Sequence, residues 1–514
     1  MAGDQESAVR VIALDIGSSA TRGCVFDVAG RPVGRRAKQE HEFTTAADGT
    51  ATVDPVVVAT EVAKVLDMLV ERADGPLAGV ALDTFASSLV GVDADGQALT
   101  PCFTYADGRC SAQVEQLRAE LDEAQVQERT GCRIHASYLP ARLLWLKQAQ
   151  PDLFAEVHRW VSLGEFVHLT LLGRAAAGTS TAAWTGLLDR RTGQWDATLL
   201  EHVGITADRL SPIADPDQPY RAIDDRVARR WPLLAEAAWF PPIADGLASN
   251  IGLGAADGST VALTAATSGA MRTLVTGIPD TVPTGLWCYR IDARRNLVGG
   301  ALNDVGRVVS WLTDTFDLAG NDLDDIAAAE ATAETPLMVP FLTGERSTGW
   351  AARARASFAN ITAASTGPAL ARAALEGVAL SYRRISVQLF EVAGNHPASD
   401  PPVREGGTDG TDRSDAADRP SATERIHAGG GLLSGIPSFA TILANALERP
   451  VIPVTTKRTT LRGTALLAME TLAPGSTPSP PDLDEAVEPD SVQAEHYARQ
   501  AALFDRLVAD QAGR

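Results

Sequence analysis

Apolar runs typical of strands alternate with longer stretches of helical periodicity along this chain. Val9–Asp15 is an apolar run rich in β-branched residues, and a second apolar run, Cys24–Val28, follows the polar turn Gly17–Ser19. Two such runs around a short turn predict a β-hairpin. Residues 56–72 place apolar side chains at helical spacing and lead into another predicted strand at Gly79–Leu82. Further helical patterns occur at 112–128, 139–149 and 162–172.

A second segment repeats the opening pattern in the later half of the chain. The predicted strand Thr260–Thr264 runs into a small, hydroxyl-bearing turn that ends at Gly269, and Arg272 follows. Aligning Gly17 with Ala266 matches the hydroxyl residues of both turns. The repeat predicts a duplicated domain, although a match this short also arises by chance.

Three later stretches suggest how the chain is divided. Residues 396–424 are dense in Pro, Gly, Asp, Ser and Arg and predict a disordered surface insertion. The uncharged run Ile426–Leu447 contains four glycines and a proline, which favours a buried strand, loop and helix over a membrane span. Thr477–Pro481 resembles a linker, and an amphipathic stretch at 488–511 predicts a closing helix. We place the domain boundary near residue 247.

Composition limits the classes of partner. The 514 residues carry 45 basic and 65 acidic side chains, a formal net charge of −20, which disfavours nucleic acid and anionic membrane surfaces as partners. Five cysteines without a C-x-x-C pair argue against a disulfide framework and a zinc site. The opening MAGDQESAVR has no apolar core of a signal peptide, so we expect a cytoplasmic protein.

Hydroxyl-rich and glycine-rich turns after strands are candidate phosphate sites. They can present backbone N–H and side-chain O–H donors to phosphate oxygens, and Asp15 at a strand end could hold hydrated Mg²⁺. The alternative is an ordinary turn, because Asp and Gly are good turn formers. No lysine follows a glycine in the chain, so the Walker A phosphate loop is absent.

Several motifs together resemble the FGGY carbohydrate kinases, and most closely their gluconokinase branch. VIALDIGSSATR, TAATSGAMR and IHAGGGLLS occur in the family's order, VGGALNDVGRVVSWL and PFLTGERSTGW lie between the last two, and the likeness extends from about residue 9 to 472. The resemblance implies an α/β fold of two duplicated ATPase domains of the actin/hexokinase type, which is ribonuclease H-like, with a catalytic cleft between the domains. The domains would be residues 1–247 and 248–475, with 476–514 as linker and closing helix.

The resemblance also implies site residues. Asp245 would be the catalytic base that accepts the proton of the sugar hydroxyl, and Asp15 would position Mg²⁺. Without the resemblance, an ordinary helix cap is the favoured interpretation of Asp245. The residues implied to bind ATP are Gly17, Ser18, Ser19, Arg22, Thr267, Ser268, Gly269, Gly306, Gly430, Gly431 and Ser434.

The sugar pocket departs from the family's usual pattern. Ser87 stands where relatives often have a histidine, and a serine has a shorter reach and no titration near neutral pH. His135 and Tyr138 lie on a segment that often approaches the sugar in relatives, and an ordinary structural histidine is an equal alternative for His135. Ala266 replaces the glycine that usually begins the second phosphate turn, where a methyl group could crowd the phosphate.

The resemblance implies an enzyme that uses ATP and Mg²⁺ to phosphorylate a sugar or sugar acid, with gluconate to 6-phosphogluconate as the best single prediction. Gluconate is an anion and favours an arginine in its pocket, for which Arg109 and Arg133 are guesses. The alternatives are a ketopentose kinase acting on xylulose or ribulose, a degenerate relative that binds without turnover, and an actin- or chaperone-like ATPase. Homodimers are frequent among such kinases, and the sequence indicates no interface.

Overall fold

The computed structural model describes residues 9–221, 225–332, 334–395 and 425–512, so the predicted insertion 396–424 lies outside the described residues. The chain forms two compact units. The first comprises Met1–Gly252, Cys288–Asn296 and Lys457–Pro480, and the second comprises Leu253–Trp287, Leu297–Thr456 and Pro481–Arg514. The segment 457–480 thus belongs to the first unit although it lies late in the sequence. The domain boundary near residue 247 stays a prediction.

The strands of the described residues are short and mostly buried. Those before residue 253 are β1 Val11–Ile16, β2 Ala20–Phe26, β3 Pro32–Glu40, β4 Thr44–Thr45, β5 Ala51–Val53, β6 Gly79–Thr84, β7 Val90–Val92, β8 Cys102–Phe103, β9 Arg159–Val161, β10 Ala177–Gly178, β11 Leu188–Asp189, β12 Gln194–Trp195, β13 Ile213–Ala214, β14 Ala238–Trp239 and β15 Ile243–Ala244. Those after it are β16 Thr260–Ala265, β17 Gly269–Thr276, β18 Trp287–Arg290, β19 Arg295–Leu302, β20 Leu337–Val339, β21 Ser357–Ala359, β22 Arg425–Gly429 and β23 Val451–Pro453.

The helices vary in length from single turns to a long helix in the second unit. The earlier ones are α1 Pro55–Glu71, α2 Ser111–Glu120, α3 Glu123–Thr130, α4 Leu139–Ala149, α5 Pro151–Glu156, α6 Leu163–Leu172, α7 Thr179–Trp184, α8 Ala197–Val203, α9 Asp225–Arg230 and α10 Asp245–Gly252. The later ones are α11 Gly306–Thr315, α12 Leu323–Ala328, α13 Gly367–Asn395, α14 Gly431–Gly435, α15 Phe439–Leu447, α16 Thr459–Leu472 and α17 Ala494–Ala512. Within the described ranges, no helix combines the length and apolar character needed to cross a membrane.

The first sheet has the strand order β14-β6-β1-β2-β3, and β15 also pairs with β6. β1 is antiparallel to β2 and parallel to β6, which confirms the predicted hairpin and third strand. Alternate residues of β1 point to opposite faces of the sheet. Ile12 and Leu14 pack in a core with α1, whereas Val11 and Ala13 pack with residues of α16. Helices therefore cover both faces of this sheet.

The second sheet repeats this arrangement, in the order β23-β22-β16-β17-β19-β18. β16 is antiparallel to β17 and parallel to β22, and β22 is parallel to β23. The order corresponds strand by strand to β14-β6-β1-β2-β3, with β18 as an added edge strand. The predicted duplication is confirmed.

Two predicted helices differ from the observed ones. The pattern at 112–128 is divided into α2 and α3, because the Asp122 side chain accepts hydrogen bonds from the N–H groups of Ala124 and Gln125 and starts a new helix. The closing helix begins at Ala494, later than the predicted residue 488. The run Ile426–Leu447 forms the predicted strand and helix, β22 and α15, but the predicted loop between them contains the short helix α14.

Candidate active site

Three aspartates lie at the carboxyl ends of neighbouring parallel strands in the first unit. Asp15 near the end of β1 is in register with Asp83 of β6. On the other side of β6, Ala244 of β15 pairs with Thr84, and Asp245 follows directly as the first residue of α10. Since this edge of a parallel sheet is where α/β proteins bind ligands, the topology places all three carboxyl groups at a typical site.

Burial governs the electrostatics of this group. Asp83 is fully buried, and the loss of solvation, with repulsion from Asp15 and Asp245, raises its pKa well above the ordinary value. Burial also raises the pKa of Asp15, while the nearby Arg22 guanidinium opposes that rise. The Asp83 Oδ1 atom has no hydrogen-bond partner among the described residues. Asp83 is therefore the carboxyl group of this pair most disposed to hold a proton.

Helix α16 fixes Asp83 and approaches α10 very closely. The Thr464 hydroxyl lies 2.5 Å from Asp83 Oδ2. A Cβ atom at Gly463 would come within 1.8 Å of the Ala248 carbonyl oxygen, and one at Gly252 within 1.8 Å of the Thr459 carbonyl oxygen. Only glycine permits such backbone contact, so these two glycines set the position of the helix that begins at Asp245.

The first hydroxyl-rich turn connects β1 to β2. Gly17 N–H donates to the Ala20 carbonyl at 3.1 Å and closes the turn, while Ser18 and Ser19 are exposed. The Arg22 guanidinium lies 3.5 Å from Asp15 Oδ2 and 3.5 Å from Ser19 Oγ. The turn therefore presents hydroxyl groups and a cation beside Asp15, as an anion site requires.

The residues at this edge fit a hydrated magnesium ion. No group of three or more His, Cys, Asp or Glu side chains in the described part of the chain could hold a metal ion by itself. Mg²⁺ usually takes one or two carboxylates and completes its shell with water and substrate phosphate oxygens. The partly accessible carboxylate of Asp15 meets that need.

The second hydroxyl-rich turn, between β16 and β17, is held by the start of α11. Gly306 N–H donates to the Ala266 carbonyl at 2.7 Å, and Arg307 N–H donates to the Thr267 carbonyl at 3.2 Å. Thr267 and Ser268 are exposed. The backbone of Ala266 lies outside the left-handed region, so alanine replaces the usual glycine without backbone strain.

Gly269 and the glycine run after β22 complete this edge of the second sheet. A Cβ at Gly269 would lie 1.9 Å from the Tyr382 hydroxyl, so the start of β17 requires glycine. Gly430 has φ +120°, and Ser434 N–H donates to its carbonyl at 3.2 Å. Because Thr264 pairs with Gly429, both turns lie at the same edge of the sheet.

The predicted sugar-binding residues belong to one connected group in the first unit. Ser87 is buried, with φ +58°, and its hydroxyl donates to the Trp184 carbonyl at 2.7 Å. Trp184 stacks on Tyr289 with ring centroids 3.8 Å apart, and Tyr289 shares a 2.6 Å hydrogen bond with the hydroxyl of Tyr138. Tyr138 is itself buried, so its contact with a sugar stays a prediction.

His135 is the more accessible of the two aromatic candidates. Its Nδ1 atom lies 2.9 Å from Ser137 Oγ and accepts the Ser137 N–H at 3.1 Å. Tyr138 N–H donates to the His135 carbonyl at 3.0 Å, which turns the chain into α4. Whether His135 contacts a sugar stays a prediction.

The two arginines suggested for binding a substrate carboxylate already pair with carboxylates of the protein. Arg109 forms two hydrogen bonds to Asp107, at 3.0 and 2.6 Å, and lies over the Trp145 ring at 4.5 Å. Arg133 forms an ion pair of 2.5 Å with Glu123. A substrate carboxylate would compete with these partners, so neither guess gains support.

The sequence analysis missed four residues that the structure places around the first turn. They are Asp83, Thr464, His41 and Glu61. The signal for Asp83 was available, because it directly follows a predicted parallel strand, as Asp15 does. The other three residues contact partners that lie far from them in the chain. A single sequence does not reveal such contacts.

Comparisons with known proteins agree with this geometry. The models for the N-terminal and C-terminal domains of the FGGY family of carbohydrate kinases match residues 10–252 and 264–472. Gluconokinase of Bacillus subtilis is 25% identical over 396 residues, covering 74% of this chain and 77% of that protein. The crystal structure of gluconate kinase from Lactobacillus acidophilus has 26% identity and a TM-score of 0.85, covering 98% of each chain. Ligand-bound xylulose kinase from the same organism has 25% identity and a TM-score of 0.86, again covering 98% of each.

Proposed function

Because this chain belongs to the FGGY family of carbohydrate kinases, an enzyme family of two-domain ATPase-like fold, we propose that it transfers a phosphoryl group from ATP to gluconate, giving 6-phosphogluconate. The similarity to gluconokinase and to gluconate kinase, at 25% and 26% identity, supports this substrate. The observation that carries the chemistry is the position of Asp245 beside Asp83 and Asp15 at the end of the parallel strands.

Asp245 is the proposed base. A sugar hydroxyl is a weak nucleophile, and a carboxylate can accept its proton as the phosphoryl group arrives. Asp245 occupies the first turn of α10, directly after β15. Backbone contact with α16 holds this helix start in place.

The hydroxyl-rich turns are proposed to bind the phosphate groups of the nucleotide. Mg²⁺, held through Asp15, would neutralise charge on the transferred phosphoryl group. Thr267, Ser268 and the N–H groups of their turn are proposed to donate to phosphate oxygens, with Gly430 and Gly431 leaving room for the nucleoside. The exposure of Thr267 and Ser268 supports that role.

Phosphorylation of xylulose is the second candidate. Xylulose kinase from L. acidophilus has a TM-score as high as the gluconate kinase. The pairing of Arg109 and Arg133 with carboxylates also favours a neutral sugar over an anion. Both substrates would use the same base and the same turns.

A coupled ADP-release assay with ATP and Mg²⁺ tests these proposals. The panel holds gluconate, xylulose, ribulose, glycerol and rhamnulose, and Asp245→Asn is measured beside Asp225→Asn, a matched change at the exposed first residue of α9. We expect turnover of gluconate that falls at least a hundredfold (about 10²–10⁴) in Asp245→Asn only. Turnover of another sugar would replace gluconate, and equal activity in both variants would contradict the role of Asp245.

A further inference from the structure

A buried histidine and a buried glutamate support the first hydroxyl-rich turn from within the first unit. His41 Nε2 lies 2.9 Å from the Gly17 carbonyl oxygen, and His41 Nδ1 lies 2.8 Å from Glu61 Oε2. The main-chain N–H of His41 also donates to the Ser19 carbonyl at 3.2 Å. One residue thus contacts both ends of the turn.

Strand pairing and helical spacing place His41 and Glu61 beside the turn. Glu40, the last residue of β3, pairs with Ala20, so His41 emerges directly beside the turn. Glu61 lies on α1 at helical spacing from Val58 and Val65, on the face that packs against the sheet. Burying a carboxylate on an apolar face is costly unless it is paired, which indicates that the pairing with His41 is needed there.

The hydrogen-bond partners fix the orientation of the imidazole. A carbonyl oxygen only accepts, so Nε2 must donate to Gly17. Nδ1 faces Glu61 Oε2, and the Thr21 hydroxyl donates to the same carboxylate oxygen at 3.4 Å. The ring therefore has one arrangement, with its donor directed at the turn.

A donor on the Gly17 carbonyl acts on the neighbouring N–H. The Gly17 carbonyl and the Ser18 N–H belong to one peptide group, and hydrogen bonds polarise one another along such a chain. A polarised Ser18 N–H is a stronger donor to a phosphate oxygen. The same contact fixes the direction of that N–H.

The second sheet offers an internal comparison. Ala266, which the sequence repeat aligns with Gly17, has its carbonyl held at 2.7 Å by the Gly306 N–H. In the second unit a helix start thus supports the turn, and in the first unit the His41 side chain supplies the corresponding donor. Equivalent carbonyls are supported by unrelated chemical groups.

We propose that His41 and Glu61 form a positioning pair that aligns and polarises the first turn for the phosphate groups of the nucleotide. The proposal rests on the proposed function, because it takes this turn as a phosphate site. His41 touches no substrate in this scheme and acts through the Gly17–Ser18 peptide.

The test measures nucleotide binding and kinetics in three variants. His41→Phe removes both ring nitrogens, His41→Gln keeps a donor near the Nε2 position, and His168→Phe makes the same change at a buried histidine of the same unit, away from the turn. We expect His41→Phe to weaken ADP binding by calorimetry and to lower kcat/KM for ATP by about 10–100-fold, with KM for the sugar unchanged. His41→Gln should recover most of the loss, and His168→Phe should bind like the unmodified protein.

The outcomes separate this proposal from the proposed function. If the unmodified protein binds ADP and His41→Phe binds it equally well, the positioning pair is refuted while the kinase proposal stands. In a second outcome, His41→Phe lowers kcat/KM for ATP and also raises KM for the sugar, and His41→Gln restores neither value. His41 then contributes only to general stability, and the proposal fails. If the unmodified protein binds no nucleotide, the proposed function itself is overturned, and the positioning role with it.

Discussion

At the scale of single residues, buried ionisable groups distinguish the first sheet from an ordinary core. Asp83 and Asp15 lie in register on neighbouring strands, and both have pKa values raised by burial. Two carboxyl groups this close disfavour a double negative charge. Asp83 is the more buried of the two, and Asp15 is the one that pairs with the Arg22 guanidinium.

His168 provides a test of burial at a position outside the site. It is fully buried against Tyr220 and Trp239, and burial lowers its pKa from 6.5 to about 4. Between pH 4 and pH 6.5, His168 is protonated in the unfolded chain and neutral in the folded chain. The stabilising effect of the neutral ring is therefore complete above pH 6.5 and is lost as the pH falls towards 4.

We expect the free energy of unfolding to fall by about 2–3 kcal/mol less in His168→Phe than in the unmodified protein between pH 7.5 and 4.5. Urea unfolding at the two pH values measures this difference. His202→Phe, at a surface histidine, serves as the control. Its free energy of unfolding should fall between the two pH values by as much as that of the unmodified protein. Equal losses in His168→Phe and the unmodified protein would show that His168 takes up a proton in the folded state.

The sequence predicted individual site residues only where they lie close together in the chain. Asp15, Gly17, Ser18 and Ser19 lie within one strand and turn, and the sequence alone identified them as candidates. His41 and Glu61 meet across twenty positions, and Thr464 reaches Asp83 across 381. Such pairs depend on how sheets and helices assemble, which hydrophobic periodicity does not encode.

At the scale of elements, the contact of α10 with α16 determines where Asp245 stands. Gly463 lies inside α16, where alanine would ordinarily favour the helix by about 1 kcal/mol. Its missing Cβ leaves space for the Ala248 carbonyl oxygen, which a methyl group would approach to 1.8 Å. The backbone on both sides would have to move.

We expect Gly463→Ala to destabilise the protein by about 1–3 kcal/mol and to lower kcat, because the start of α10 shifts. Gly394→Ala, in α13 with no atom near the added methyl group, is the matched control and should cause no loss of stability. Thermal unfolding and the kinase assay measure both effects. A Gly463→Ala protein as stable and active as the control would contradict the close helix contact.

Some helix boundaries followed from the sequence, with a side-chain cap in α1 and without one in α4. The predicted helix at 139–149 matches α4, and α1 begins after Asp54, whose side chain accepts hydrogen bonds from the N–H groups of Val56 and Val57. Asp122 is also a typical N-cap residue and could have predicted the start of α3. The sequence analysis instead treated 112–128 as one helical pattern. The placement of α16 in the first unit was unpredictable, because it depends on apolar contacts with strands more than 400 positions earlier.

At the scale of the whole molecule, the two units repeat one sheet arrangement. Each sheet has a hairpin whose turn carries hydroxyl groups, and a parallel third strand beside it. A short sequence repeat predicted this duplication, because the turn residues are local. The strand order could not be obtained that way, since it arises from pairing between distant segments.

Nucleotide binding is the property that distinguishes an active kinase from a degenerate one. A ligand that binds only the folded chain raises the free energy of unfolding by about 2.7 kcal/mol at a concentration of 100 Kd. We expect ADP with Mg²⁺ to raise the melting temperature by about 2–5 °C, and EDTA to remove part of that rise. Asp15→Asn should lose the part that depends on Mg²⁺ and keep the part that does not. A melting temperature unchanged by ADP and Mg²⁺ would favour the degenerate alternative, whereas a rise without sugar-dependent turnover would call for a wider panel of substrates.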